Sequence, residues 1–363
     1  MADSMILVTG FPGFIAGRLI KELVAHQPKS QFVLLVQPHM QDMANRRVRD
    51  IRAACPEFKG TFSVVLGDIR EPNMGMGPDD RARFNKGITH VWHLAAVYEL
   101  SVALTIAYDV NVVGTSRVLD YCETLPNLKR LLYISSCYVA GNRTGAVFEH
   151  ELDLGQEFKN HYETTKFWAE KLVQERWEHV PTTIFRPAIV VGDSRTGETI
   201  KGDGPYFMFN LLMRLPPWLP MVNIGDSDAP VNLVPVDFLV SAMATISQGG
   251  KECEKRVYQL ADPCPKTAGQ VMDLAVEALD RAPIAGKMPL ALANLAMNFR
   301  HVERLVQIPK EAMVYFNHPV TFDTQNTVDS LNATEIQCPD LALYLPILIE
   351  YARANPSIFH NFL

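Results

Sequence analysis

Short apolar runs alternate with helical patterns over the first two-thirds of this 363-residue chain, and that alternation limits the fold more than any other feature. The strand candidates are Met5–Val8, Phe32–Val36, Phe62–Leu66, His90–Leu94, Arg130–Ser135 and Thr182–Arg186. Between them the spacing predicts helices over Phe14–His26, Met40–Ala54, Asp79–Asn85, Leu104–Thr124 and Tyr162–Trp177. Strands joined through helices pair in parallel, because a parallel connection needs a crossover and the crossover helix covers a sheet face. Right-handed crossovers then give an α/β fold with a doubly wound parallel sheet.

After Pro187 the pattern loosens. "VVGDSRTGETIKGDGP" reads as loop, and "LMRLPPWLPMV" is apolar and proline-rich. A strand (Val231–Val236), a helix (Val236–Ser247), a second strand (Val257–Ala261) and a helix (Gln270–Leu279) follow. Two more helical stretches lie around Leu290–Leu305 and Leu341–Ala354. The expected division is a sheet domain over residues 1–190 and a smaller, mostly helical part over 191–363, with 231–262 returning to the core sheet.

A formal net charge of −6 argues against nucleic acid as a partner. The local cluster Arg46-Arg47-Val48-Arg49 reads either as a solvated helix face or as an anion site. Six cysteines without C-x-x-C pairs indicate neither a metal site nor a disulfide framework, and reduced thiols fit a cytoplasmic protein. "MADSMILVTG" reads as a first strand and not as a signal peptide. No run of eighteen apolar residues is present to span a membrane, while peripheral membrane contact stays open.

Directly behind the first strand stands "TGFPGFIAGRL". A strand, a glycine turn and an amphipathic helix together make a phosphate loop, because the helix N-terminus offers N–H groups and partial positive charge. Gly10 permits the tight turn, Gly13 lets a pyrophosphate approach the backbone, and Ala16 permits close helix–strand packing. The register is G-x-x-G-x-x-A, so Gly17 is incidental; a generic strand-to-helix turn is the plainer alternative.

"LLYISSCYVAG" places Ser135 and Ser136 at the end of a predicted parallel strand, the sheet edge where α/β proteins bind ligands. Tyr162 and Lys166 follow about 26 residues on, at i, i+4 on one helix face. An ammonium beside a phenol lowers its pKa and makes tyrosine a usable acid or base. Cys137 and His161 are offset from these groups by strand alternation and helix rotation respectively.

Read together, these motifs resemble the extended short-chain dehydrogenase/reductase family, over roughly residues 5–265. The resemblance implies a Rossmann-type sheet and an NAD(P)-dependent oxidoreductase. It implies a cofactor loop of Thr9, Gly10, Phe11, Pro12, Gly13, Phe14 and Ile15, and an adenine-contacting turn "GDIR" with Asp68 and Ile69. "HLAA" supplies Leu94, Ala95 and Ala96, and "RPAIVVG" supplies Pro187 and Ile189 beside the nicotinamide. Its catalytic set falls on Ser136, Tyr162 and Lys166, supported by Asn111 of "NVVGT", which would hold the lysine through a water. Tyr162 would donate the proton, Lys166 would lower its pKa and touch the ribose, and Ser136 would stabilise the oxyanion. Within the family, "VAGNRTG", "VVGDSRTGE" and "NLVPVDF" look most like the thioester-reductase and fatty acyl-CoA reductase branch.

At the end of the second strand stands Gln37 and no acidic residue, and Arg46 and Arg47 lie close by to hold a 2′-phosphate. NADPH is therefore expected over NADH. The apolar stretches "FNLLMRLPPWLPMV" and "PLALANLAMNF" could line an acyl tunnel, form an oligomer surface, touch a membrane or simply pack in a core. The expected substrate is a lipophilic acyl thioester on CoA or a carrier protein, reduced to aldehyde or alcohol. A ketone or aldehyde reductase, a hydroxysteroid-type dehydrogenase and a non-catalytic nucleotide sensor are the competing readings.

Overall fold

The computed structural model describes residues 4–99, 101–200, 202–289, 291, 292, 315 and 318–360. In chain order its first half runs β1 (Met5–Thr9), α1 (Phe14–His26), β2 (Gln31–Val36), α2 (Gln41–Ala54), β3 (Thr61–Leu66), α3 (Pro78–Phe84), β4 (Ile88–His93), α4 (Leu104–Ala107), α5 (Gly114–Glu123) and β5 (Arg130–Ile134). There follow β6 (Gly145–Val147), α6 (His161–Glu175), β7 (Thr182–Pro187), β8 (Ile189–Val191), α7 (Tyr206–Arg214), β9 (Asn223–Ile224), β10 (Leu233–Pro235), α8 (Val236–Ile246), β11 (Arg256–Leu260), α9 (Ala268–Ala278) and β12 (Lys287–Met288). The last described elements are β13 (Val320–Phe322), α10 (Gln325–Leu331), α11 (Leu341–Ala354) and α12 (Pro356–His360).

Seven strands form one parallel sheet in the order β3-β2-β1-β4-β5-β7-β11. The order reverses between β1 and β4, which opens a crevice at their carboxyl ends. Both faces are covered, which is why the central strands β1, β2 and β5 are largely apolar. Ile6 and Val8 of β1 join one core with Leu19, Ile20 and Leu23 of α1 and Leu239 and Met243 of α8. Leu7 points the other way, into a core with Val118 and Leu119 of α5 and Val173 of α6. The expected α/β doubly wound sheet is the observed one.

The expected strand near Val257 is the seventh strand of this sheet, whereas the one near Val231 pairs with β8 in a separate ladder. A smaller apolar cluster sits beyond the sheet, built from Tyr206, Phe209 and Leu212 of α7, Val271 and Ala275 of α9, and Leu345 and Leu348 of α11. The stretch beginning at Phe209 is thus core over its first turns, and then exposes Trp218 at 74%. The stretch "PLALANLAMNF" and the helix expected around Leu290–Leu305 lie almost wholly outside the described residues. Among the described residues no helix is long and apolar enough to cross a membrane.

The helix expected over Leu104–Thr124 is helical from Leu104 to Glu123, but it is not uniform: Tyr108–Val113 forms a π-helical turn between α4 and α5. The turn carries Asn111, whose side chain is bonded to another segment, and single π turns of this kind gather at functional sites.

Candidate active site

The loop between β1 and α1 is closed by glycine. Gly10 has φ +84°, and a Cβ there would sit 2.7 Å from the Ala95 nitrogen and 2.8 Å from the Leu94 carbonyl carbon. A Cβ on Gly13 would sit 2.7 Å from the Gly10 oxygen. Gly13 caps α1, and the Phe11–Pro12 peptide is cis. A Cβ on Gly17 would meet only the Arg47 side chain, at 3.4 Å. Leu94 and Ala95 therefore lie against the loop, as the motif order requires. This glycine cradle at a helix N-terminus fits a dinucleotide pyrophosphate.

Beneath the loop a buried relay locks three segments. Thr9 Oγ1 accepts from Ala95 N at 3.2 Å and lies 2.8 Å from His93 Nδ1. His93 Nε2 lies 3.1 Å from Thr115 Oγ1, whose hydroxyl donates to the Asn111 carbonyl at 2.6 Å. The partners assign the tautomer: Thr9 donates to Nδ1, and Nε2–H donates to Thr115. Burial lowers the His93 pKa to about 3, so the ring stays neutral and acts as a brace. His93 was not among the expected site residues, although "HLAA" contains it.

Past the carboxyl ends of β2 and β3, Asp68 accepts from Gln37 Nε2 at 2.8 Å and from Arg70 Nη2 at 2.7 Å. The Arg70 hydrogen bond comes first among the influences that hold the Asp68 carboxyl down at about 2. Ile69 is buried against Gly114. Arg47 lies over the first turn of α1, next to Gly17, while Arg46 is exposed. Pro187 ends β7 and Ile189 begins β8, at the carboxyl end of the sheet.

Ser135 and Ser136 have separate jobs. Ser135 Oγ donates to Glu170 Oε2, and Glu170 forms a fully buried ion pair with Arg186 at 2.6 Å. Ser136 stands two residues beyond β5, at the start of the next turn. Its hydroxyl accepts from Tyr138 N at 3.2 Å. It lies near enough to the Tyr162 hydroxyl to pull that group's pKa down, so the two residues singled out by the motif are neighbours past the carboxyl end of β5. Burial pushes the Tyr162 hydroxyl up to about 12, against the opposing pull of Ser136.

Lys166 is buried and donates to Tyr133 Oη at 3.0 Å and to the Ile134 carbonyl at 2.6 Å. Burial lowers its pKa to about 7, opposed by the Glu170 charge. Burial and Ser136, rather than the lysine as expected, lead the influences on the tyrosine, and the lysine reaches β5 instead. Asn111 grips the Val97 backbone at both ends, at 2.9 Å each, and donates to Thr165 Oγ1 at 3.0 Å. It joins the chain after β4 to helix α6, one residue from Lys166. Cys137 is buried, donates to the Arg186 carbonyl and has its thiol held well above the usual range by burial, so it is no nucleophile.

The doubly wound sheet, the glycine cradle and the Ser136–Tyr162–Lys166 set define an extended short-chain dehydrogenase/reductase. A family profile described as male sterility protein, an NAD-binding domain, matches residues 8–243, and the chain belongs to that family. Its branch is the one that includes the fatty acyl-CoA reductases and thioester-reductase domains. Fatty acyl-CoA reductase wat of Drosophila melanogaster is 26% identical over 275 residues, covering 66% of this chain and 53% of that protein. Fatty acyl-CoA reductase 1 of Arabidopsis thaliana is 22% identical over 358 residues, covering 79% and 72%. The chain spans little more than half the length of the fly reductases it matches. Among solved structures, the terminal R domain from the myxalamid biosynthetic pathway superposes with a TM-score of 0.81 at 25% identity, covering 98% of this chain and 92% of that one. The reductase domain of a nonribosomal peptide synthetase from Mycobacterium tuberculosis has the same fold, with a TM-score of 0.73 at 19% identity, covering 99% and 92%.

Proposed function

We propose that this chain is an NADPH-dependent reductase of lipophilic acyl thioesters, carried on CoA or on a carrier protein. The observation that carries the reading is the nearness of the Ser136 and Tyr162 hydroxyls at the carboxyl end of the sheet, beside a glycine cradle. Two hydroxyls converging on one point are what a carbonyl oxygen needs as it gains charge. Tyr162, with its hydroxyl near 12, is protonated at neutral pH and can donate. Ser136 orients the carbonyl, and Lys166 lies one turn along the same helix to compensate the tyrosinate left behind. Thr9 to Ile15, the 94–96 segment and the Pro187–Ile189 edge would hold a dinucleotide, which when bound would supply the hydride. On a thioester, addition gives a hemithioacetal that collapses to aldehyde and thiol. Relatives named as fatty acyl-CoA reductases support the thioester over a ketone. The six free cysteines suit a reducing compartment such as the cytoplasm.

The preference for NADPH rests on Gln37 following directly on β2, with Arg47 lying over the start of α1. Gln37→Asp should shift preference toward NADH; unchanged kinetics with both dinucleotides would sink that assignment. The reaction itself is tested by NADPH consumption against acyl-CoAs, fatty aldehydes and bulky ketones, with thiol release followed in parallel. Thiol released in step with acyl-CoA-dependent oxidation supports the thioester reading. Turnover of ketones alone overturns it.

A further inference from the structure

We propose that Tyr315, from the far C-terminal part of the chain, is a positioning residue that holds Ser136 and Tyr162 in register. This rests on the reductase reading above and adds a residue that none of its motifs contains.

Helix α6 begins one residue before Tyr162, with Asn160 as its cap: Asn160 Oδ1 accepts from Glu163 N at 3.0 Å. The Tyr315 hydroxyl accepts from Asn160 Nδ2 at 2.7 Å and donates to Glu163 Oε1 at 2.5 Å. Both hydrogen-bonding roles of that hydroxyl are spent on the residues that flank Tyr162 in the first helical turn. Glu163 is fully buried, and its other oxygen accepts from Lys159 N at 2.9 Å.

The Tyr315 ring reaches the other half of the site. It stands edge-on to Tyr138, with ring centroids 5.1 Å apart and planes at 89°. Tyr138 is the residue whose backbone N–H donates to Ser136 Oγ. One side chain thus touches both the turn that carries Ser136 and the helix that carries Tyr162. Two further contacts tie the same pieces: Lys159 Nζ donates to the Gly141 carbonyl, and β13 pairs in parallel with β6 just beyond the serine turn.

A buried carboxylate and its partners cost desolvation, and such networks repay it by fixing one geometry. Here the geometry fixed is the spacing of two hydroxyls on separate elements. A shift of about 1 Å in such a spacing can cost up to about 100-fold in rate.

Tyr315→Phe keeps the ring contact and removes both hydrogen bonds, whereas Tyr315→Leu removes both kinds of contact. In the full chain, Tyr315→Phe should lower kcat by about 10-fold. KM for the reduced dinucleotide should stay within about two-fold, and the primary isotope effect with deuterated dinucleotide should rise, because the chemical step has slowed. Tyr315→Leu should lower kcat further with the same split. The 13C signal of the Tyr162 ring carbon bearing the hydroxyl, assigned with Tyr162→Phe, should move in Tyr315→Phe. Wild-type kcat with an unmoved signal overturns the proposal, as does a fall in kcat that only tracks a fall in Tm and a matching rise in KM. A chain that turns over no acyl substrate, yet whose Tyr162 signal moves in Tyr315→Phe, sinks the reductase reading and leaves the positioning role standing.

Discussion

Burial strongly disfavours the charge on Lys166, and the sign of that effect is testable. Unfolded, a lysine titrates near 10.4; folded, Lys166 titrates near 7, because desolvation disfavours its charge. Between those values the unfolded chain binds more protons, so this group's penalty is full below about pH 7 and is relieved as pH rises toward 10. Lys166→Met removes the amine and keeps most of the volume. Its Tm relative to wild type should therefore be more favourable at pH 6 than at pH 9, while activity is lost at both. Equal Tm differences at the two pH values would rule out the depressed pKa. Tyr162 carries a simpler expectation. Tyr162→Phe should reduce turnover by about 100-fold or more while dinucleotide affinity, read by fluorescence titration, changes little. Loss of affinity in step with turnover would make Tyr162 a binding residue and not the proton donor.

At the scale of elements, the β1–α1 turn separates glycines that are required from one that is not. Gly10→Ala places a methyl in contact with the backbone of β4's end, at a φ that alanine avoids, and should abolish dinucleotide binding. Gly17→Ala meets only the adjustable Arg47 side chain and should leave binding intact, raising stability in urea by up to about 1 kcal/mol. Equal damage from both substitutions would mean that the loop register has been misread. Most elements were legible in the sequence, because each strand is a short apolar run bounded by turn residues and each helix has its own apolar stripe. The π turn at Tyr108–Val113 was not legible, since the Asn111 side chain it carries is bonded to the Val97 backbone, a partner outside the local pattern. Nor was the pairing of β13 with β6, which joins residues about 175 apart. For the same reason Glu163, Tyr133 and Tyr315 escaped notice, while Ser136, Tyr162 and Lys166 stood out as a short ordered motif.

For the whole molecule, the consequence is that the two parts divided at about residue 190 in the sequence are built through one another. β11 is the edge strand beside β7, with Leu260 opposite Pro187 at the sheet's carboxyl end. Arg130 of β5 donates to the Gly249 carbonyl at 2.9 Å, and Thr183 of β7 donates to the Cys253 carbonyl at 2.6 Å. Glu149 is buried; it accepts from Gln259 N of β11 at 2.8 Å and from Asn326 N of α10 at 2.6 Å. Cutting after residue 190 would strip α8 from the apolar face of α1 and leave Glu149 without either backbone donor. It would also expose the edge of β7, which is fully apolar or hydrogen-bonded in the intact chain and is a template for aggregation when bare. A chain of residues 1–190 should therefore be insoluble or bind no dinucleotide, although it contains the glycine loop, Ser136, Tyr162 and Lys166. The measurement is soluble yield and NADPH affinity beside the full chain. If the short chain folds and binds with full-length affinity, the segment from β10 to α10 is an appendage and the sheet stands without it.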